Sequence, residues 1–311
     1  MASLHKTLYV IPLPAFTKSL ISGHYLTSLM ANRIERKPIE GLFRLLRPAN
    51  CLMGAAGTLL ASIICVGPEE FLDYGSEVLF SLLVVIFFTG AGNSLNDYFD
   101  REIDKTAHPE RPIPRGLVSP RSALILSVVS FSIAIILSSF INLWSLGIVL
   151  TSILFMISYE VSLKREGLAG NLAISWLTGA LFLFGGAAVD RMEVAWILGA
   201  LAFLATLGRE IVKDIQDVQG DRGIRLTLPM RIGARNAGFV ASLSFIGAVL
   251  LSPVPYMQEL LSIYYVPIVL VSDAIFIYCA TIHFADPKRG QKVAKLAMLV
   301  ALIAFLFGGI I

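Results

Sequence analysis

The sequence predicts an all-α protein that crosses a membrane nine times, and three observations carry that expectation. The composition is too apolar for an ordinary soluble domain. Of 311 residues 56% are hydrophobic and only 15% charged, with a mean hydropathy of +0.76, whereas soluble domains average an apolar share of about 45–50%. Apolar runs of the length that spans a hydrocarbon core, roughly 20 helical residues, recur along the chain. Lysines and arginines gather in alternate loops. The net charge of +3 is too small to argue for a nucleic-acid partner.

Residues 1–40 are polar and weakly patterned, without the charged start, apolar centre and small-residue cleavage site of a secretory signal. They are expected to be an amino-terminal extension to a membrane domain over 41–311, with Met30 as an alternative start. A basic amphipathic segment, Ile39 to Leu46, precedes spans placed at 48–67, 76–98, 119–139, 141–160, 170–189, 193–216, 234–252, 262–284 and 290–311. With that spacing one side receives Arg44, Arg47, Arg101, Lys105, Arg111, Arg115, Arg121, Lys164, Arg165, Arg222, Arg225, Arg231, Arg235, Lys288, Arg289, Lys292 and Lys295. The other receives Arg191 together with Glu69, Glu70, Asp73, Glu77 and Glu259. The basic side is expected to be cytoplasmic, in a multi-pass protein of the cell membrane. Cys51, Cys65 and Cys279 lie in apolar runs, far from metal-ligand spacing, and read as packing residues.

The most informative stretch runs from Asn93 to Gly116, at the end of the second span. On a helix advancing about 100° per residue, Asn93, Asn96, Asp97, Asp100 and Asp104 fall within an arc of roughly 100°, so one face carries only amides and carboxylates. Adding 117 to Asp97, Asp100 and Asp104 gives Asp214, Asp217 and Asp221, and adding it to Pro112 and Gly116 gives Pro229 and Gly233. The same Asp-x-x-Asp-x-x-x-Asp pattern is thus used twice, on one membrane side, as expected of an internal repeat of four-helix units.

Such clusters are costly. A charge at the bilayer centre costs on the order of 3 kcal/mol on insertion scales, and two like charges about 4 Å apart repel by about 4 kcal/mol at an effective dielectric of about 20. A solvated helix end would tolerate one such motif as surface decoration. Two matched motifs suit a divalent cation, since Mg²⁺ takes hard oxygen ligands, one or two carboxylates at a time, and leaves its other positions to water and phosphate oxygens. With basic residues close by, the pair suits a diphosphate held through Mg²⁺.

The residues Asn96-Asp97-x-x-Asp100-x-x-x-Asp104, then His-Pro-x-Arg-Pro-Ile-Pro-x-Gly, and later Arg209-Glu210-x-x-Lys213-Asp214-x-x-Asp217-x-x-x-Asp221, resemble the UbiA-type intramembrane prenyltransferases over nearly everything from Arg44 onward. Arg47-Pro48-Ala49-Asn50-Cys51-Leu52-Met53 and Arg209 to Asp214 look most like the archaeal members that make ether lipids. The resemblance implies nine helices around a central cavity that binds Mg²⁺ and a prenyl diphosphate. By motif position, Asn96, Asp100 and Asp104 would serve one metal and Asp217 and Asp221 the other, with Asp97 and Asp214 in support. Lys164, Arg111 and Arg115 would stabilise charge on the departing diphosphate. Tyr159 and Lys164 sit where the family commonly has a Tyr and a Lys near that group, although four residues separate them here in place of three. Phe182 and Phe184 are either walls for the isoprenoid tail or core packing.

For the archaeal subgroup the resemblance implies geranylgeranyl transfer from geranylgeranyl diphosphate to the hydroxyl of geranylgeranylglyceryl phosphate. Arg47, Arg209 and Lys213 are then candidates to hold the lipid-like acceptor's phosphate, or else interface anchors and ion-pair partners. An aromatic acceptor is the alternative within the family. A cation-coupled transporter is the alternative outside it, although that class places acids at mid-span and inverts its halves, and an even number of spans separates these two motifs. A phosphatidyl-type alcohol transferase would carry a glycine and an Ala-Arg pair inside its motif, and neither is present. His108 reads as a turn residue and His283 as an interface residue; neither has metal-site spacing.

Overall fold

The computed structural model describes residues 38–218, 220 and 225–310, and its regular elements are all helical. They are α1 (Pro38–Leu46), α2 (Pro48–Glu70), α3 (Gly75–Ala107), α4 (Pro120–Ser139), α5 (Leu143–Val161), α6 (Leu168–Ala188), α7 (Met192–Asp217), α8 (Leu228–Ile232), α9 (Ala234–Leu251), α10 (Val254–Met257), α11 (Tyr265–Ile282) and α12 (Pro287–Ile310). The expected extension, with Met30, lies outside the described residues except for its last few, which open α1. Asp221 and Arg222 also lie outside them.

Among the described residues eight helical runs are long and apolar enough to cross a membrane. The first, Ile39–Ala107, contains both the 48–67 and the 76–98 spans. Within it Gly67 takes a positive φ of 75° just before Pro68, and a short 3₁₀ turn, Phe71–Tyr74, leads straight into α3. Only glycine adopts that φ without strain, which is how the chain reverses there with no extended loop. The other runs match the remaining expected spans to within a few residues, with α3 continuing to Ala107 in place of ending at 98.

Helix starts follow local chemistry. Ser119 accepts the Ser122 amide at 3.0 Å ahead of Pro120 at the first turn of α4, and Asn142 accepts the Ser145 amide at 2.8 Å at the start of α5. Both side chains satisfy donors that a helix start leaves unpaired.

The helices form two groups that meet along α6 and α7. Helices α2 to α5 pack in sequence on one side, with α2 and α5 also against α6; on the other, α11 packs against α9 and α12, which both pack against α7, and α12 closes back onto α2. Helix α6 crosses α7 where Gly179 faces Gly199, since a Cβ on Gly179 would stand 2.7 Å from the Gly199 carbonyl oxygen. Close backbone approach through small residues is the usual means of helix association in lipid. Gly185 does the same toward α2, where Ser62 Oγ donates to its carbonyl at 2.9 Å.

Helix α1 lies across the end of the bundle. Its Leu45 is fully buried with Val118 and Ala123, so the α3–α4 loop is pinned beneath it.

Gly185→Leu is expected to destabilise the α2–α6 contact, because a Cβ there would lie 2.5 Å from Ala61 Cβ and 2.9 Å from the Thr58 carbonyl. Overpacking of this kind costs about 1–3 kcal/mol, and thermal unfolding in detergent should show a lowered midpoint. Gly147→Leu, with no atom within 4 Å of its Cβ position, should leave that midpoint unchanged or raised.

Candidate active site

The acidic face of α3 divides down its middle. Asp97 and Asp104 lie on one edge of the arc and Asn96 and Asp100 on the other, and the structure gives each edge its own cationic partners. Asp97 and Asp104, each 2% exposed, are held by two arginines. Arg47 ion-pairs with Asp97, and Arg111 Nη1 lies 2.6 Å from Asp104 Oδ2 and 3.6 Å from Asp97 Oδ1. Arg47 sits at the α1–α2 junction with a φ of 50°. A non-glycine residue there costs on the order of 1–3 kcal/mol, and the part-buried ion pair with Asp97 ties the residue to α3.

On the other edge, Lys164 Nζ donates to Asp100 Oδ1 at 2.5 Å and to Glu160 Oε2 at 2.8 Å. The Asn96 amide nitrogen donates to Asp100 Oδ2 at 2.9 Å and to Glu160 Oε1 at 3.1 Å. Because carboxylates only accept, the amide is fixed with its nitrogen toward them, which leaves the Asn96 carbonyl oxygen as a ligand. Burial disfavours the Lys164 ammonium, but the hydrogen bonds and charges of Asp100 and Glu160 outweigh it and hold the pKa above the ordinary lysine value.

The second motif ends α7. Glu210, Asp214 and Asp217 follow i, i+4, i+7 spacing and share a face. Buried Glu210 accepts from Arg209 Nη1 at 2.5 Å and ion-pairs with Lys213. Buried Asp214 accepts from the Asn171 amide of α6 at 2.9 Å. Asp217 is half-buried at the helix end.

Two hollows join these parts. A cavity of about 440 Å³ has Arg47, Asn96, Tyr159 and Glu160 at its polar end and Val84, Phe88, Ile148, Leu181 and Phe184 deeper in. A narrow cleft beside it is lined by Tyr159, Lys164, Asn171, Glu210, Lys213, Asp214 and Arg225. Lys164 therefore faces the first motif through Asp100 and the second through the cleft, and Tyr159 borders both hollows. Of the other sequence-identified residues, Arg115 is exposed in the α3–α4 loop, and Phe182 lies on another cavity.

Sequence reasoning missed Glu160 and Asn171 and gave Glu210, although it stands in the second motif, no role. Glu160 carried a signal: it is a lone acid in an apolar span, one helical turn before Lys164, and intramembrane acids ask for a role. It also explains the spacing between Tyr159 and Lys164, since the residue one turn from the lysine is Glu160. His283, expected at the interface, is 1% exposed, with Nε2 2.9 Å from Ser242 Oγ. The interior takes it because Gly238 and Gly290 leave room for the ring. All three cysteines are buried and free.

Among the described residues no group of three acidic, histidine or cysteine side chains is arranged around a metal position. Lysine, arginine or amide donors hold the carboxylates. The donor set still fits Mg²⁺, since it offers amide and carboxylate oxygens without thiol or imidazole.

Residues 55–306 match the UbiA prenyltransferase family. The digeranylgeranylglyceryl phosphate synthase of Natronomonas pharaonis is 39% identical over 274 residues, covering 87% of this chain and 97% of that protein. A solved digeranylgeranylglyceryl phosphate synthase structure superposes with a TM-score of 0.81 at 32% identity, over 88% of this chain and 99% of that one. A UbiA homologue from Archaeoglobus fulgidus bound to GPP and Mg²⁺ shares the fold at a TM-score of 0.61 and 15% identity, over 86% and 98% of the two chains. The family match over most of the sequence, on a multi-pass helical bundle with acidic motifs on α3 and α7, makes this chain a member of the UbiA prenyltransferase family.

Proposed function

We propose that this protein transfers a geranylgeranyl group from geranylgeranyl diphosphate to the free hydroxyl of geranylgeranylglyceryl phosphate, forming an ether bond with Mg²⁺ as cofactor. The carrying observation is the cleft that brings the Asn96–Asp100–Glu160–Lys164 network against Glu210, Lys213 and Asp214, beside an apolar cavity of prenyl character. The 39% identical Natronomonas relative supports the substrate assignment, and the Archaeoglobus homologue with GPP and Mg²⁺ supports a prenyl diphosphate donor and a magnesium site. Asn96, Asp100, Asp104, Asp214, Asp217 and Asp221 are the proposed magnesium residues, with Asp97 supporting them. Bound there, Mg²⁺ would neutralise charge on the diphosphate oxygens.

Lys164 and Arg111 stabilise the negative charge that grows as the allylic C–O bond breaks and the diphosphate leaves with the bonding pair; Arg115 contributes from the loop. The walls around Phe88 and Phe184 keep water from the allylic cation. The acceptor hydroxyl oxygen bonds to that carbon, and its proton passes to the departed diphosphate. Arg209 and Lys213, with Arg47 across the cavity, hold the acceptor's phosphate, and Tyr159 lines the path between. The site opens on the basic, cytoplasmic side of the cell membrane.

The test is an assay of purified protein with Mg²⁺ and geranylgeranyl diphosphate against a panel of acceptors. Product with geranylgeranylglyceryl phosphate is expected; transfer to a hydroxybenzoate or naphthoate alone would overturn the assignment. Asp100→Asn and Asp217→Asn should each lower kcat by on the order of 10²–10³-fold while membrane insertion and elution profile stay unchanged. Lys164→Met should lower kcat by about 10²-fold, with Lys164→Arg recovering part of it.

A further inference from the structure

A second cavity, of about 260 Å³, lies on the other side of α6, among α6, α7, α9, α11 and α12. It belongs to neither acidic network. Thr178 borders both cavities, and Ile174 borders the first cavity and the motif cleft. Asn171, Ile174, Thr178 and Phe182 follow i, i+3, i+7, i+11 spacing, so one stripe of α6 runs from the cleft to the second cavity. On α7 a matching stripe descends from Arg209 through Ala205 to Ala202 and Leu201, the last three of which line the second cavity. That cavity thus begins one helical turn below Arg209.

Its far wall is polar. Ser252 Oγ donates to Asp273 Oδ2 at 2.7 Å, and the Tyr265 hydroxyl donates to the Ser252 carbonyl at 2.8 Å. Ser252 and Tyr265 stand at the ends of α9 and α11 remote from the motifs, so the apolar passage ends there. A hydrocarbon chain entering beneath Arg209 stops at that floor, because the Tyr265 ring, held by its hydroxyl and stacked on Phe305 with centroids 5.7 Å apart, closes the cavity there.

Resting on the reading that the enzyme joins two prenyl lipids, we propose that the two cavities sort the two tails. The diphosphate donor's chain occupies the cavity that opens at Asn96 and Glu160, and the prenyl chain of the glyceryl phosphate acceptor occupies the second, with its phosphate at Arg209 and Lys213. The acceptor's length is read by the Ser252–Asp273–Tyr265 floor. Thr178 is where the two chains come nearest.

Two variants of opposite sign test this, assayed in purified full-length protein with Mg²⁺. Ala202→Phe fills the second cavity and Phe182→Ala enlarges it; neither residue is part of the catalytic machinery. Ala202→Phe should raise KM for geranylgeranylglyceryl phosphate by about tenfold, with KM for the shorter geranylglyceryl phosphate and for geranylgeranyl diphosphate within about twofold of wild type. Phe182→Ala should raise kcat/KM for an acceptor carrying a tail one isoprene unit longer, relative to the geranylgeranyl acceptor, and it decides the matter alone if Ala202→Phe does not fold. Altered selectivity for donor length, or no change in acceptor selectivity in either folded variant, overturns the assignment of tails. Wild-type protein that transfers to no prenylglyceryl phosphate is a different failure, seen before any variant is made, and removes the parent reading along with this one.

Discussion

Charge compensation at the membrane surface is the constraint on which this structure depends. Asp97, Asp100, Asp104 and Glu160 lie close together at the ends of apolar helices, where bare carboxylates are not tolerated, and Arg47, Arg111 and Lys164 compensate them. Removing one partner of such a buried pair typically costs about 3–5 kcal/mol, since it strands the other charge. The arginine pairs also fasten architecture: Arg47 ties the α1–α2 junction to α3, and Arg111 folds the α3–α4 loop back onto it. The same groups that make the bundle stable therefore hold three cations in fixed positions around the cavity mouth.

The two edges of the α3 face serve different ends. The Asp97–Asp104 edge is paired with Arg47, at the α1–α2 junction, and with Arg111. The Asn96–Asp100 edge faces the cavity, where Lys164 and Glu160 hold it in one geometry. A site that must meet a polyanionic headgroup benefits from this division, because donors already positioned need not reorganise when charge develops.

Helix α6 gives the bundle its internal plan. Its glycines bring it close to α2 and α7, and the stripe from Asn171 to Phe182 forms a wall common to the cleft and both cavities. Asn171, at the head of that stripe, holds Asp214 of the second motif. One helix thus positions an acidic residue at the surface and separates apolar space below it.

Much of this was legible without coordinates, because membrane physics writes itself into linear sequence. Span length follows from bilayer thickness and a shared helical face from i, i+4, i+7 spacing; the Asn96–Asp104 and Asp214–Asp217 faces were visible for that reason. What stayed hidden were contacts between residues far apart in the chain. Spacing could not show that Lys164 reaches Asp100, that Asn171 holds Asp214, or that Glu160, a single acid in an apolar run, completes the first network. The burial of His283 likewise depends on what Gly238 and Gly290 of neighbouring helices leave open. The sequence by itself determined the family, the membrane class and the acidic faces, which are local and periodic properties. Tertiary packing alone decided which edge of each face meets the cavity, which cation pairs with which carboxylate and where the apolar hollows lie, because those follow from how helices cross.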